Sequence, residues 1–285
     1  MDSTSALILA ISLIIIMLGM GLSLVPDDFR RIFVNPKAII TGLINQLILL
    51  PLIGFALALV FPVSPEVAVG IIILAACPGG PTSNLIAHLA KGDTALSVSL
   101  TAASSLITVI TIPIIVNLGL VVFAGEGTVV KLNVVQTIVQ IFVIAILPVI
   151  IGMLIRHYKE AFALRMDKPV KIASAIVLAL VIIGVVIKDK DNMGRYFQQA
   201  GLIALALNVA TMAVGYFTAK VMKLNIKQAV SISIESGIQN GTMAITIAIV
   251  LLGNAEYAFA PAVYSLIMFG TAGAFIYWSL KRIKE

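Results

Sequence analysis

Residues 232–248 read ISIESGIQNGTMAITIA. Apolar residues frame the stretch, yet its centre holds a carboxylate, Glu235, followed by Ser236, Gly237, Gln239, Asn240 and Gly241. The surrounding chain is of membrane grade. Of 285 residues, 60% are hydrophobic and only 11% charged, with a mean hydropathy of +1.12; soluble domains carry about 25% charged residues. The polar centre of this segment therefore needs a reason.

Nine apolar segments follow one another, at approximately 5–24, 38–61, 66–90, 94–123, 132–155, 170–187, 199–219, 228–252 and 257–280. They are long enough for membrane-spanning helices and too long and uniform for the alternating strands of a membrane β-barrel. The fold expected is an all-α polytopic membrane protein with nine transmembrane helices. The fourth segment is long for one span and is expected to tilt or bend near Pro113. The first has neither a basic leader nor a small-residue cleavage site, and reads as a mature span rather than a signal peptide.

The net charge of +6 does not point to nucleic acid, because the basic residues are spread over short loops without interleaved aromatics. A single cysteine, Cys77, excludes an internal disulfide, and one Cys with two distant His, His88 and His157, gives no zinc cluster. The basic residues do fix an orientation. With the amino terminus outside, 15 of the 19 Lys and Arg fall on the inner side, and Lys131, Lys188, Lys190 and Arg195 fall outside. The carboxyl terminus is then inside.

A shift of 161 positions superposes two stretches. Gly54, Ala58 and Val60 meet Gly215, Ala219 and Val221; Ala68, Val69, Ile71 and Ile73 meet Ala229, Val230, Ile232 and Ile234; Gly80 meets Gly241, and Gly92 meets Gly253. The second span and its partner, the seventh, cross in opposite directions, so the repeat has inverted topology, a common plan of secondary transporters. The third span, paired with the eighth, is interrupted at the matching place: LAACPGGPTSN, residues 74–84, carries Pro78, Gly79, Gly80 and Pro81. Matched interruptions point to a binding site at the membrane midplane.

Glu235 is the one acid deep within a span, where a charge costs about 2.5–3.5 kcal/mol. No Lys or Arg lies at matching depth, which leaves a bound cation or a proton as its partner. The neighbours are oxygen donors suited to a hard cation. Ser83 and Asn84 follow the first interruption, Ser97 and Thr101 share a helix face in the fourth span, Gln46 lies mid-span in the second, and Ser236 and Gln239 flank the second interruption. Half-helix amino termini near Thr82–Ser83 and Gly241–Thr242 offer N–H groups to an anion. Oxygen ligands beside N–H donors describe cation–anion symport.

At these residues the chain resembles the bile acid:sodium symporter family. The likeness rests on CPGGPTSNLIAHLAKGDTALSVSLT (residues 77–101), IESGIQNG (234–241) and Gln46 in GLINQLILLP (42–51). It implies a core domain, residues 38–123 and 199–280, and a panel domain, residues 5–24 and 132–187, with the two broken helices crossing in the core. It also implies two sodium sites. One comprises Ser83, Asn84, Ser97, Thr101 and Glu235. The other comprises Gln46, Glu235, Ser236, Ile238 and Gln239, with Ser236 and Ile238 giving backbone carbonyls. An organic anion such as a bile acid is expected near Thr82, Asn240, Gly241 and Thr242. Bile acids, other steroid conjugates, pantoate-like acids and small keto acids all suit such a site. The expected location is a bacterial inner (plasma) membrane. Two departures stand out: bacterial members often have ten spans, and Pro81 replaces a small or hydroxyl residue.

Three other readings compete. Proton coupling or cation/proton antiport through Glu235 would need no shell of hydroxyls and amides. A membrane enzyme would have to rely on Cys77 and His88, which fit helix packing and the membrane interface better. A ligand-sensing receptor would bind without sodium-dependent flux.

Overall fold

The computed structural model describes residues 3–34, 36–124, 132–188 and 193–283, and these are almost entirely helical, with no strand among them. In chain order the helices are α1 (Ser3–Ser23), α2 (Pro26–Val34), α3 (Pro36–Ile44), α4 (Leu50–Val60), α5 (Pro65–Ala76), α6 (Pro81–Leu89), α7 (Thr94–Phe123), α8 (Val134–Ile141), α9 (Leu147–Tyr158), α10 (Glu160–Lys188), α11 (Met193–Val221), α12 (Ile226–Gly237), α13 (Gly241–Thr246) and α14 (Phe259–Arg282). A π-helical turn, Asn45–Leu49, joins α3 to α4, and another, Phe142–Ile146, joins α8 to α9. Each leads into a proline, Pro51 or Pro148, in the first turn of the next helix. The wider turn relieves the clash and the lost donor that proline brings to a helix interior. A third π turn, Ile247–Leu251, prolongs α13.

Among the described residues, six helical stretches are long and apolar enough to cross a membrane: Ala6–Ser23, Pro36–Val60, Thr94–Phe123, Val134–Tyr158, Phe197–Val221 and Glu256–Arg282. Two shorter apolar stretches, Pro65–Ala76 and Gly241–Leu251, belong to the third and eighth segments of the sequence. The protein is an integral membrane protein. Its exposed surface is rich in Leu, Ile, Val and Phe, as a lipid-facing surface must be.

Local chemistry explains where helices start. Asp93 accepts the Leu96 N–H before α7, and Asn225 with Gln228 forms a capping box before α12. At ~1.5 Å per residue the 30 residues of α7 span about 45 Å, more than the ~30 Å bilayer core. The helix runs unbroken through Pro113.

Two segments differ from the sequence expectation. The loop expected at 156–169 is mostly helix, because α10 begins at Glu160 and passes through Pro169. Hydropathy sees only the apolar part, whereas Glu, Ala, Leu, Arg and Met propagate a polar helical turn. Arg165, Lys168 and Lys171 therefore sit on a helix. The loop after α1 also contains a helix, α2. Asp27 and Asp28 lie in its first turn and Arg31 in its last, which suits the helix dipole, and Phe33 is 84% exposed. Lys131, Lys190 and Lys284, which belong to the 19 basic residues, lie outside the described residues.

Helix α1 packs on α9 and α10; α11 packs on α12 and α14; α5 packs on α7, α4 and α14; α6 and α12 both pack on α7. The α1–α9 crossing is close. A Cβ on Gly152 would stand 2.4 Å from the Leu18 carbonyl oxygen, and one on Gly21 would stand 2.2 Å from that of Val149. Small residues of this kind let membrane helices approach backbone to backbone.

Candidate functional site

Cys77 is the C-cap of α5 and Gly80 the N-cap of α6; Ile238 is the C-cap of α12 and Asn240 the N-cap of α13. The two interruptions meet. Gly79 and Gln239 form an antiparallel backbone bridge, and the Asn240 N–H donates to the Pro78 carbonyl at 3.0 Å. This contact satisfies backbone groups that two broken helices would otherwise leave unpaired in a membrane interior. Pro81 takes the first helical position of α6, where its missing N–H has no cost and its φ is suitable.

Glu235, in the last turn of α12, is 4% exposed. Its Oε1 accepts from Ser83 Oγ at 2.6 Å and Ser97 Oγ at 2.5 Å, and its Oε2 accepts from Thr101 Oγ1 at 2.9 Å. The three hydroxyls are fully buried. Asn84 Oδ1 lies 2.9 Å from Ser97 Oγ and 3.1 Å from Thr101 Oγ1, and the Gly80 carbonyl lies 2.7 Å from Ser83 Oγ. Each hydroxyl thus stands within hydrogen-bond distance of two acceptors but has one proton to give. Six O···O approaches are thus served by three hydroxyl protons. Among the described residues no Lys or Arg pairs with Glu235; the ion pair that exists is Arg156–Glu160, at 3.3 Å. Ser83, Asn84, Ser97, Thr101 and Glu235, five residues from three helices, are brought together as one oxygen-lined cluster.

Gly79 makes room for it. A Cβ there would lie 2.6 Å from Glu235 Oε2 and 3.3 Å from Ser83 Oγ. Gly79→Ala is expected to destabilise the protein by about 1–3 kcal/mol, as overpacking does. Gly270→Ala, where a Cβ meets open space, is expected to be neutral. Thermal melts of the two variants check this.

The second expected set gathers around two amides. Gln46 Nε2 donates to the Cys77 carbonyl at 2.9 Å and to Gln239 Oε1 at 2.8 Å. Gln239 Nε2 donates to the carbonyls of Ser236 at 3.0 Å and Glu235 at 3.3 Å. The Glu235 carboxylate itself bonds to the hydroxyl cluster, so this residue joins the two sets through its backbone on one side and its side chain on the other. Ile238 is buried in the break with extended backbone, and its N–H donates to the Ile234 carbonyl. Ser236 turns its hydroxyl back to the Ile232 carbonyl, leaving its own carbonyl to the amide cluster.

The residues expected near the anion divide. Asn240 Oδ1 accepts the Met243 N–H and caps α13. Gly241 faces α14, where a Cβ would stand 1.9 Å from Ser265 Oγ. Thr242 is buried, and its carbonyl accepts from Thr246 Oγ1. Thr82 is half-buried between Pro81 and Asn84, both of which line a cavity of about 360 Å³. That cavity lies between α1, α9 and α10 on one side and α6 and α7 on the other, with His88 and Arg156 in its wall. Asn84 therefore touches both the cavity and the Glu235 cluster. His88 is exposed near the end of α6, and Cys77 is buried and serves as the C-cap of α5.

Sequence reasoning gave Gly79 only as part of the break, not as the residue that makes room for Glu235, and it missed the pair Asn208 and Tyr264. Asn208 Nδ2 and Tyr264 Oη donate to the Gly237 carbonyl, both at 2.7 Å. A lone amide and a lone tyrosine in apolar helices carry no motif.

Interrupted membrane helices meeting at a buried, oxygen-lined carboxylate define the class of ion-coupled transporters. The Sodium Bile acid symporter family matches residues 10–196, more than half of the chain, and the protein belongs to that family: it is a sodium-coupled transporter and not an enzyme. It is 30% identical over 280 residues to YocS of Bacillus subtilis, described as an uncharacterized sodium-dependent transporter, covering 95% of this chain and 82% of that one. Identity to the human ileal sodium/bile acid cotransporter is 29% over 283 residues, with coverage of 94% and 77%. Identity to the rice "Probable sodium/metabolite cotransporter BASS2, chloroplastic" is 28% over 264 residues; the chain spans 92% of itself there but 62% of the plant protein.

Proposed function

We propose that the protein imports an organic anion together with two sodium ions by alternating access. The observation that carries this reading is the Glu235 cluster. A desolvated carboxylate without a cationic side chain sits among three hydroxyls and an amide oxygen, in a cluster where six O···O approaches are served by three hydroxyl protons. A sodium ion supplies the missing positive charge and accepts all of these oxygens as ligands. Its ligands are Ser83, Asn84, Ser97, Thr101 and Glu235. The second ion sits at Gln46, Gln239 and the carbonyls of Ser236 and Ile238, with Glu235 shared; this requires the Gln46 and Gln239 side chains to turn their oxygens inward. The anion lies near Thr82, Asn240, Gly241 and Thr242, beside the amino-terminal N–H groups of α6. Likeness to the ileal cotransporter makes bile acids the first candidates, and likeness to the chloroplast protein adds smaller metabolites.

The proposed architecture has nine spans: the six long helices, α10, and the broken pairs α5–α6 and α12–α13. The two broken pairs belong to inverted repeats. Residues 38–123 and 199–280 form the core and residues 5–24 and 132–187 the panel, and the cavity between α1, α9, α10 and α6, α7 lies along their seam. The amino terminus is outside and the carboxyl terminus inside a bacterial plasma membrane. Two sodium ions with one monoanion carry one net charge inward. Each tenfold sodium gradient gives ~1.4 kcal/mol per ion, and 100 mV of potential gives ~2.3 kcal/mol. The total of roughly 5 kcal/mol drives an accumulation of about several thousandfold.

A thermal-shift screen of organic anions, run in sodium and in choline, tests substrate and coupling together. The expected outcome is stabilisation by at least one anion in sodium only. Proton coupling is the competing reading. It predicts uptake in choline buffer that follows the pH gradient, whereas the sodium reading predicts background uptake in choline at every pH.

A further inference from the structure

We infer that Asn208 and Tyr264 are positioning residues of the sodium-coupled cycle: together they clamp the carbonyl of Gly237, where α12 breaks off, and so set the geometry of the ion site. The inference rests on the sodium reading of the Glu235 cluster.

The last carbonyls of a helix lack intrahelical partners and in a membrane must find others. At the end of α12 they are divided between two groups of donors. Gln239 Nε2 takes the carbonyls of Glu235 and Ser236. The Gly237 carbonyl goes the other way, to Asn208 Nδ2 on α11 and Tyr264 Oη on α14. Asn208 Nδ2 also lies 3.2 Å from Tyr264 Oη, so the three groups close a triangle. Both lone pairs of this carbonyl are engaged. The peptide plane between Gly237 and Ile238 is thereby fixed, and the neighbouring carbonyls of Ser236 and Ile238, both proposed sodium ligands, inherit that orientation.

Two observations say the clamp is there for geometry rather than stability. First, Asn208 and Tyr264 are both fully buried, and Asn208 Oδ1 has no hydrogen-bond partner among the described residues. An unsatisfied buried acceptor is destabilising, and an apolar residue of the same volume would avoid that cost. The residue is retained for the donor on its other atom. Second, the other broken helix has a related device, one residue further along and with a single donor. The carbonyl of Cys77, the C-cap of α5, accepts from Gln46 Nε2, an amide in the π turn that leads into α4, on the span before α5. Asn208 likewise sits on the helix preceding its break. Gln46 belongs to the ion cluster; its counterpart holds the break from the side facing away from it.

Tyr264→Phe removes one donor and keeps the ring. In wild-type protein with sodium-dependent uptake, the variant is expected to raise the half-saturating sodium concentration about three- to tenfold, the value of one such hydrogen bond. The maximal rate at saturating sodium and the sodium-free melting temperature stay near wild type. Amide exchange of a peptide covering residues 237–241 is expected to rise in sodium-free protein. Asn208→Leu should shift sodium dependence in the same direction. Thr108→Val, which removes an equally buried hydroxyl bonded within its own helix, should leave it unchanged. An unchanged sodium dependence in Tyr264→Phe and Asn208→Leu would overturn the clamp, as would a loss of melting temperature and maximal rate without a sodium shift. Wild-type uptake that is indifferent to sodium would instead overturn the site reading, and the clamp's role in it. The exchange measurement, which needs no sodium, tells these failures apart.

Discussion

Glu235→Ala is expected to abolish sodium-dependent uptake, and with it any stabilisation of the purified protein by sodium, while the chain still inserts and folds. The structure explains why function and folding separate here. Burying the carboxylate opposes folding, so its removal takes away a cost of about 2.5–3.5 kcal/mol on insertion scales. The three hydroxyls it leaves behind are not stranded. Ser83 already lies 2.7 Å from the Gly80 carbonyl, and Ser97 and Thr101 can turn to Asn84 or to carbonyls one turn back on α7. The proposed sodium site, by contrast, loses its only negative charge. Three hydroxyls and an amide oxygen remain, neutral ligands that do not offset the dehydration of a cation. Uptake into proteoliposomes with and without a sodium gradient, alongside size-exclusion profiles, measures both halves of the prediction. Sodium-stimulated uptake by a well-folded Glu235→Ala protein would be incompatible with the site described.

Gly152→Ala is expected to have a large structural effect for a single methyl group. The new Cβ would lie 2.4 Å from the Leu18 carbonyl oxygen and 2.8 Å from Gly21 Cα. These are backbone atoms of α1, so no side-chain rotation relieves the clash, and the α1–α9 crossing must open. Overpacking of this kind costs about 1–3 kcal/mol where side chains can yield, and the upper end or more applies where only backbone can move. The proposed seam between panel and core is lined by α1 and α9, so transport should fall with stability. Gly184→Ala, with nothing within 4 Å of a Cβ, provides the control in a neighbouring helix. Thermal melts and expression yields decide the matter; a Gly152→Ala protein as stable as the Gly184→Ala control would contradict the close crossing.

The polar cluster was legible because a membrane exaggerates the meaning of a polar residue. Glu235, Ser83, Asn84, Ser97 and Thr101 stand out from an apolar background, and the repeat tied Glu235 to residues 152 positions away in the case of Ser83. Register was less legible. A shift of 161 relates the helix ends, Cys77 and Ile238, but the second break is one residue shorter, so the bridged pair Gly79 and Gln239 and the caps Gly80 and Asn240 are 160 apart. Matching Gly80 to Gly241 thus paired a cap with the residue after a cap. The glycines flank the second break, and their packing role was not legible. Gly237 and Gly241 admit Met212 of α11 and Ser265 of α14 at distances no Cβ allows. Of the matched pair Gly92 and Gly253, only Gly253 has positive φ, and the first half places Lys91 there instead. Interhelical fit of this kind depends on the facing surface, which a single sequence does not display. The same holds for Asn208 and Tyr264, whose partner is a backbone carbonyl.

Direct binding of radiolabelled sodium to the purified protein tests the central claim most closely. Saturable binding is expected for the wild type, with none for Glu235→Gln, which keeps the shape of the side chain and removes its charge, and weakened binding for Ser97→Ala. Saturable sodium binding of wild-type affinity in Glu235→Gln would contradict the account.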